Sequence, residues 1–192
     1  GPVDLALASD TSYESAYYLR ALIRSGMNDH EASLVDVNKA IQLTEKESTA
    51  HAEYLVLRAK ARFVLGETSK ALHDVNSSIL LSGTNEAAFL LRARIKQSEN
   101  DFRGAIADLG HAIENFDPAN PDFYALRARI VQEYHHPTPG EPLYAAVLQD
   151  LQTAIALDTD NYKHYRHRCS LYLSNEQKHE AMADLSTMIE TY

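Results

Sequence analysis

The chain has 192 residues, 45% of them hydrophobic, with a formal net charge of −9 and a single cysteine, Cys169. Length and apolar content suit one large domain or two small ones and exclude a disordered chain. The acidic balance argues against a broad nucleic-acid-binding surface, which needs clustered Lys and Arg, and one thiol excludes an internal disulfide while fitting a reducing compartment.

Caps and breakers place helices along the whole chain. The first is predicted near 12–25 and stops at Gly26; the second, 29–43, opens on Asp29. A third, 48–65, stops at Gly66, and a fourth, 68–81, opens on Thr68. Helices at 84–98, opened by Thr84, and 102–115 follow, then 120–134, opened by Asn120 before Pro121. The remaining three are expected at 142–157, 160–174 and 177–191. Ser, Thr, Asp and Asn open helices because their side chains accept from otherwise unbonded amides, and Gly closes them because it tolerates positive φ. Residues 135–142 hold three prolines and a glycine and read as a loop, since proline lacks the amide a helix interior needs. No strand-like alternation flanked by hairpin turns stands out.

These helices carry an internal repeat. On the second helix of each pair, Asp is followed by Val or Leu, two variable residues, a small or slender residue and Ile. The motif begins at Asp36, Asp74, Asp108, Asp150 and Asp184, in steps of 38, 34, 42 and 34. Three residues before each Asp stands Ser33, Ala71, Ala105, Val147 or Ala181, mostly small, as a close helix–helix approach requires. On the first helices Arg20-Ala21, Arg58-Ala59, Arg92-Ala93, Arg127-Ala128 and Arg168-Cys169 form a second echo. Arg precedes Asp by 16 residues in four repeats and by 23 in the fourth, where the proline-rich loop falls.

A unit of this length, with a small residue at the helix contact, an apolar residue four later and another small one three after that, resembles the tetratricopeptide repeat. The resemblance covers nearly the whole chain as five divergent repeats, about 12–47, 48–83, 84–118, 119–159 and 160–192. The family's usual Trp is replaced by Tyr17, Leu55, Phe89 or Tyr165, its Leu-Gly pair by Arg-Ala, and its closing Pro is absent except at Pro118. The resemblance implies an all-α, right-handed superhelical solenoid of five antiparallel helix pairs, with first helices on the concave face. Its expected function is that of a scaffold or adaptor holding a peptide or helix of a partner protein, rather than an enzyme. The chaperone-binding members grip a C-terminal Asp with Lys and Asn on their first helix. Here Tyr18 and Leu22 stand at those places, so that clamp is not expected. The Arg-Ala, Gly and Asp-Leu arrangement also resembles repeats of J-domain co-chaperones, which keeps a co-chaperone module as an alternative.

The recurrent Arg and Asp read either as five copies of a charged site or as internal ion pairs, Arg20–Asp36, Arg58–Asp74, Arg92–Asp108, Arg127–Asp150 and Arg168–Asp184; fixed spacing within each unit favours the pairs. Two residues after each Arg lies a position expected on the concave face, occupied by Leu22, Lys60, Arg94, Arg129 and Ser170. Lys60, Arg94 and Arg129 read either as a basic track for an acidic peptide or as ordinary solvated charges. Tyr18, Tyr54, Tyr124, Tyr162 and Tyr165 lie on first helices, where most belong to the core; Tyr18 and Tyr124 join the candidate binding residues.

Among nine histidines, His164 and His167 are three apart and His135-His136 adjoin the loop, but neither arrangement converges three or four ligands, so no metal site is expected. No phosphate loop or nucleophile motif is present, and no cofactor is expected. No apolar run reaches membrane-span length and no secretory signal opens the chain, so no membrane partner is expected; a targeting signal lost with the natural N-terminus would leave localisation open, with an intracellular, cytoplasmic setting the favoured expectation. Gly1-Pro2 fits the scar of a cleaved tag. The chain stops at Tyr192 inside the last helix without a polar capping helix, which points to a piece of a longer protein. An apolar end of that kind also points to a structural alternative, self-association through the repeat ends. The 135–142 insertion reads either as a binding loop or as a tolerated surface insertion.

Overall fold

The computed structural model describes residues 13–45, 47–116 and 118–191; Gly1-Pro2 and Tyr192 lie outside them. Among the described residues there are ten α-helices and no strand. They are α1 (Glu14–Gly26), α2 (His30–Leu43), α3 (Thr49–Val64), α4 (Thr68–Leu81), α5 (Glu86–Ser98), α6 (Phe102–Asn115), α7 (Pro121–His135), α8 (Pro142–Leu157), α9 (Tyr162–Ser174) and α10 (Lys178–Thr191). No end differs from the predicted one by more than two residues.

The helices pair through a recurrent turn. After α1, α3, α5 and α9 one residue takes the left-handed conformation: Asn28 (φ 62°), Gly66 (φ 79°), Asn100 (φ 62°) and Glu176 (φ 60°). The next amide then bonds back to a carbonyl in the last helical turn: Asp29 to Arg24 at 2.9 Å, Glu67 to Arg62 at 2.8 Å, Asp101 to Lys96 at 2.8 Å and Gln177 to Tyr172 at 2.9 Å. This satisfies carbonyls the helix leaves open and reverses the chain in very few residues, so each pair packs antiparallel. Asp29 and Asp101 then cap the following helices, accepting from the Ala32 and Gly104 amides at 3.2 and 2.9 Å. α7 instead ends at left-handed His136 and the chain wanders through 136–141 before α8.

Two caps differ from the sequence reading. Thr68 is the first residue inside α4, whose N-cap position is Glu67 with no side-chain cap bond. α5 is opened by Asn85, whose Oδ1 accepts from the Ala88 amide at 3.2 Å, not by Thr84. Thr and Asn are both good caps, and only the register decides which faces the free amides. Asn85→Ala should therefore cost about 1 kcal/mol in urea unfolding and Thr84→Ala at most a few tenths; equal losses would refute the assignment.

The chain forms two compact units, Gly1–Ile95 and Lys96–Tyr192. In the first, α1 packs on α2, α2 on α3 and α3 on α4; in the second, α6 packs on α7, α7 on α8, α8 on α9 and α9 on α10. The small residues before each Asp, Ser33, Ala71, Ala105, Val147 and Ala181, are all buried at these crossings. Ser33 and Ser78 satisfy their hydroxyls by donating to the Ala21 and Ala52 carbonyls across the pair, both at 2.8 Å.

Successive pairs are joined by an apolar seam. In the second, third and fifth repeats the residue before the repeated Arg, the residue three after it, or both pack with the preceding second helix. Leu57 shares a core cluster with Val37, Leu34 and Ile41; Leu91 and Ile95 share one with Val75, Leu72 and Ile79; Leu171 shares one with Leu151 and Leu148. The alternation of large apolar residues on one side with alanines on the other lets ridges seat in grooves at short range.

Candidate partner-binding site

The repeated charges have specific companions. Asp36 receives Arg20 at 2.6 Å and Arg24 at 2.7 Å; Asp74 receives Arg58 at 2.7 Å and Arg62 at 2.6 Å. Arg20 and Arg58 each bind through both Nε and Nη2, the two-pronged geometry that a planar guanidinium offers a carboxylate. Asp150 is held the same way by Arg127 and Asp184 by Arg168, with closest approaches of 2.7 and 2.6 Å. These bonds to a carboxylate hold the guanidinium pKa values of Arg127 and Arg168 above the usual arginine range. In the third repeat Asp108 has Lys96 at 2.8 Å, and Arg92 donates to Asn76 at 3.0 Å. Arg20, Arg92 and Arg168 also lie over the rings of Tyr17, Phe89 and Tyr165, 5.1 to 5.8 Å from their centroids.

The second cations, Arg24, Arg62 and Lys96, went unread in the sequence. They follow the repeated Arg by four residues and recur at the repeat's own steps of 38 and 34, a signal that was available. Each also supplies the carbonyl that closes the turn. One residue thus ends the first helix and neutralises the carboxylate on the second. A cation in a last helical turn is further favoured by the helix dipole.

The positions two after each repeated Arg are all exposed: Leu22, Lys60, Arg94, Arg129 and Ser170. Lys60 and Arg94 belong to the first unit and Arg129 to the second. Among the described residues Lys60 and Arg94 have no ion-pair partner. Arg129 donates to Gln97 Oε1 at 3.4 Å, and Gln97 donates to Glu133 at 2.5 Å, so a polar ladder runs from the end of α5 onto α7. Tyr124 is half-buried on α7. Tyr18 is half-buried on α1, packed against the first-unit core with its ring 4.4 Å from that of Tyr54. Burial, reinforced by Glu53, raises its phenol above the ordinary range.

His167 occupies the seam position that is Leu57, Leu91 and Leu126 in other repeats. Its Nε2 stands 3.1 Å from Gln132 Oε1, and burial, with Arg129, His164 and Arg166 nearby, lowers its pKa from 6.5 to about 4. His164 is 4% exposed, 3.7 Å from Asp158. Among the described residues no group of three or more His, Cys, Asp or Glu is placed to hold a metal ion. No helix among them is long and apolar enough to cross a membrane.

No family model matches the chain. A curated relative, the DnaJ homolog subfamily C member 7 homolog of Schizosaccharomyces pombe, is 23% identical over 189 residues, which span 90% of this chain but only 37% of the relative. The crystal structure of the APC/C hetero-tetramer Cut9-Hcn1 superposes with a TM-score of 0.80 at 14% identity, covering 98% of this chain and 35% of that one. YrrB, described as a TPR protein with an unusual peptide-binding site, superposes with a TM-score of 0.62 at 14% identity, covering 100% and 92%. The fold is the all-α tetratricopeptide-repeat fold, built of helix pairs.

Proposed function

We propose that this chain is a protein-interaction scaffold whose first helices, α1, α3, α5, α7 and α9, hold an extended or helical segment of a partner protein. Lys60, Arg94 and Arg129 would be the anchors and acidic side chains on the partner their targets, with Tyr18 and Tyr124 offering ring edges beside them. One contrast supports this most directly. Arg20, Arg58, Arg127 and Arg168 are engaged by carboxylates inside their own repeats, whereas Lys60, Arg94 and Arg129, two residues further on, project into solvent in one common register. Exposed cations recurring at one position of the repeat steer and grip carboxylate-bearing side chains. The peptide-binding site named for YrrB favours the same reading. The five repeats serve this one binding role, without catalysis and in an intracellular setting suited to the lone buried thiol of Cys169.

The test is capture of partners from lysate by the native chain and by a Lys60→Glu, Arg94→Glu, Arg129→Glu variant, both checked for helicity by circular dichroism. A partner held by the native form should be lost by the folded variant. Equal capture by both would remove the basic anchors from the proposal.

A co-chaperone module is the second reading, favoured by the relative named as a DnaJ homolog. It expects binding of unfolded or acidic-tailed clients. Tyr18 and Leu22 leave such a client without the usual Lys and Asn grip.

A further inference from the structure

The 136–141 loop breaks the repeat, and it is anchored from both sides. His136 turns the chain in the left-handed region at φ 46°, and Pro137 after it is buried. At the other end the Glu141 amide donates to the Thr138 carbonyl at 3.1 Å, and Glu141 Oε2 accepts from the Thr138 amide at 3.0 Å. Between these two residues stand Pro139 and then Gly140 at φ 96°, the residue order of a type II turn. The turn presents Thr138, Pro139 and Gly140 exposed ahead of α8. Proline disfavours helical backbone in the residue before it, so Thr138-Pro139 forms an extended step.

The Thr138 hydroxyl has no role in the fold. Among the described residues it makes no hydrogen bond, whereas Ser77, Thr153 and Thr187 lie inside helices and donate to the carbonyls of His73, Gln149 and Ala183. Thr138-Pro139 is also the one Ser-Pro or Thr-Pro step in the sequence, since the other five prolines follow Gly1, Asp117, Asn120, His136 and Glu141. No Lys or Arg lies between Arg129 and Lys163, so the adjoining sequence does not suit an enzyme that selects by basic neighbours.

We infer that Thr138 is a phosphorylation site for a proline-directed serine/threonine kinase, with a nucleoside triphosphate as the phosphoryl donor. Thr138 Oγ1 attacks the γ-phosphorus, and the new O–P bond forms as the bond from that phosphorus to the bridging oxygen breaks. The hydroxyl proton passes to the kinase's catalytic aspartate and the nucleoside diphosphate leaves. Pro139 supplies the selectivity: it has no amide, so it can enter an apolar pocket that offers no acceptor, where another residue would strand its N–H. The fold tolerates the product, because the Arg127–Asp150 bonds and the cluster of Val131, Tyr144 and Val147 hold α7 on α8 without help from the loop. Phosphorylation thus adds a charge of about −2 to the surface of the insertion and leaves the helix pair intact. The site is independent of the basic anchors on the first helices.

The test incubates the purified chain and magnesium ATP with a purified proline-directed kinase and, in parallel, with a kinase directed by basic residues. Phosphate is read by intact mass and placed by fragmenting the tryptic peptide 130–163, which carries the loop between Arg129 and Lys163. The proline-directed enzyme should add one phosphate, on Thr138, and the basic-directed enzyme none there. Thr138→Ala should abolish the addition, and Pro139→Ala, which keeps the hydroxyl, should lose most of its rate. Both side chains are exposed, and circular dichroism should show both variants as helical as the native chain. Failure of the proline-directed enzyme to modify the native chain, phosphate placed on another residue, or equal rates for the native chain and Pro139→Ala overturns the inference.

Discussion

Arg127→Ala is expected to destabilise the second unit by about 3 to 5 kcal/mol, because it strands the Asp150 carboxylate in a site already removed from water. The corresponding Arg58→Ala should cost less, about 1.5 to 3 kcal/mol, the range for hydrogen bonds to a charged group. The difference arises because Asp74 keeps Arg62 at 2.6 Å, whereas among the described residues Asp150 has no second cation. In the fourth repeat the residue four beyond the repeated Arg is Val131, 7% exposed in the apolar cluster, where the first three repeats carry Arg24, Arg62 and Lys96. Native-state hydrogen exchange reads this locally, comparing α8 amides in Arg127→Ala with α4 amides in Arg58→Ala. Replacing both partners, Arg127→Met with Asp150→Leu, should recover most of the loss, since no charge is then left buried. Equal losses from the two single substitutions, or no recovery in the double variant, would show that the second cation does not share the load.

The second large effect is a pH dependence centred on His167. Its folded pKa of about 4 lies below the unfolded value of 6.5, so the unfolded chain takes up a proton first as pH falls. The contribution to stability is complete above the unfolded pKa, declines as pH drops from 6.5 and is exhausted below about 4. The full shift corresponds to about 3 kcal/mol; since the residue keeps a solvent-facing edge, about 2 kcal/mol is the expected size. The groups facing the ring are Gln132 and Arg129 on α7 and His164 and Arg166 on its own helix. None is anionic, so nothing there favours the imidazolium. Urea midpoints at pH 7 and pH 4.5 should therefore diverge in the native chain and converge in His167→Gln. An unchanged divergence in that variant would assign the dependence to other groups.

His167 also shows where the sequence was legible and where it was not. The period of the repeat is written in apolar and small residues whose burial is nearly independent of detail, so the ten helices among the described residues are legible to within two residues. The pairing of Arg20 with Asp36, Arg58 with Asp74, Arg127 with Asp150 and Arg168 with Asp184 follows the same logic, since a charge recurring in phase with the core finds its partner within the repeat. His167 was weighed only as a metal ligand, although the seam register already placed it where leucines stand elsewhere. Arg24, Arg62 and Lys96 were lost because they belong to the last turn of a helix, where sequence reasoning sees a dipole-favoured cation and not a reach across the pair. Asn85 displaced Thr84 as a cap because the choice between adjacent good caps depends on backbone direction, which no residue identity encodes. The exposed cations at 60, 94 and 129 were legible as a register; what they grip is a property of another molecule.

The loop at 136–141 bears on how this chain can diverge. Repeat four separates its Arg and Asp by 23 residues where the others use 16, yet the Arg127–Asp150 approach is 2.7 Å, the same as Arg58–Asp74. The geometry of the pair is therefore set by the packed helices and not by the tether between them. Lengthening such a tether raises only the loop-closure entropy, which grows slowly with length. Inserted sequence between the helices of a pair is nearly neutral for the fold. A single residue inserted within a helix is not, because it rotates every following position off its seam by about a hundred degrees. Drift in length is thus channelled into the turns, and recognition elements can be acquired there without renegotiating the core.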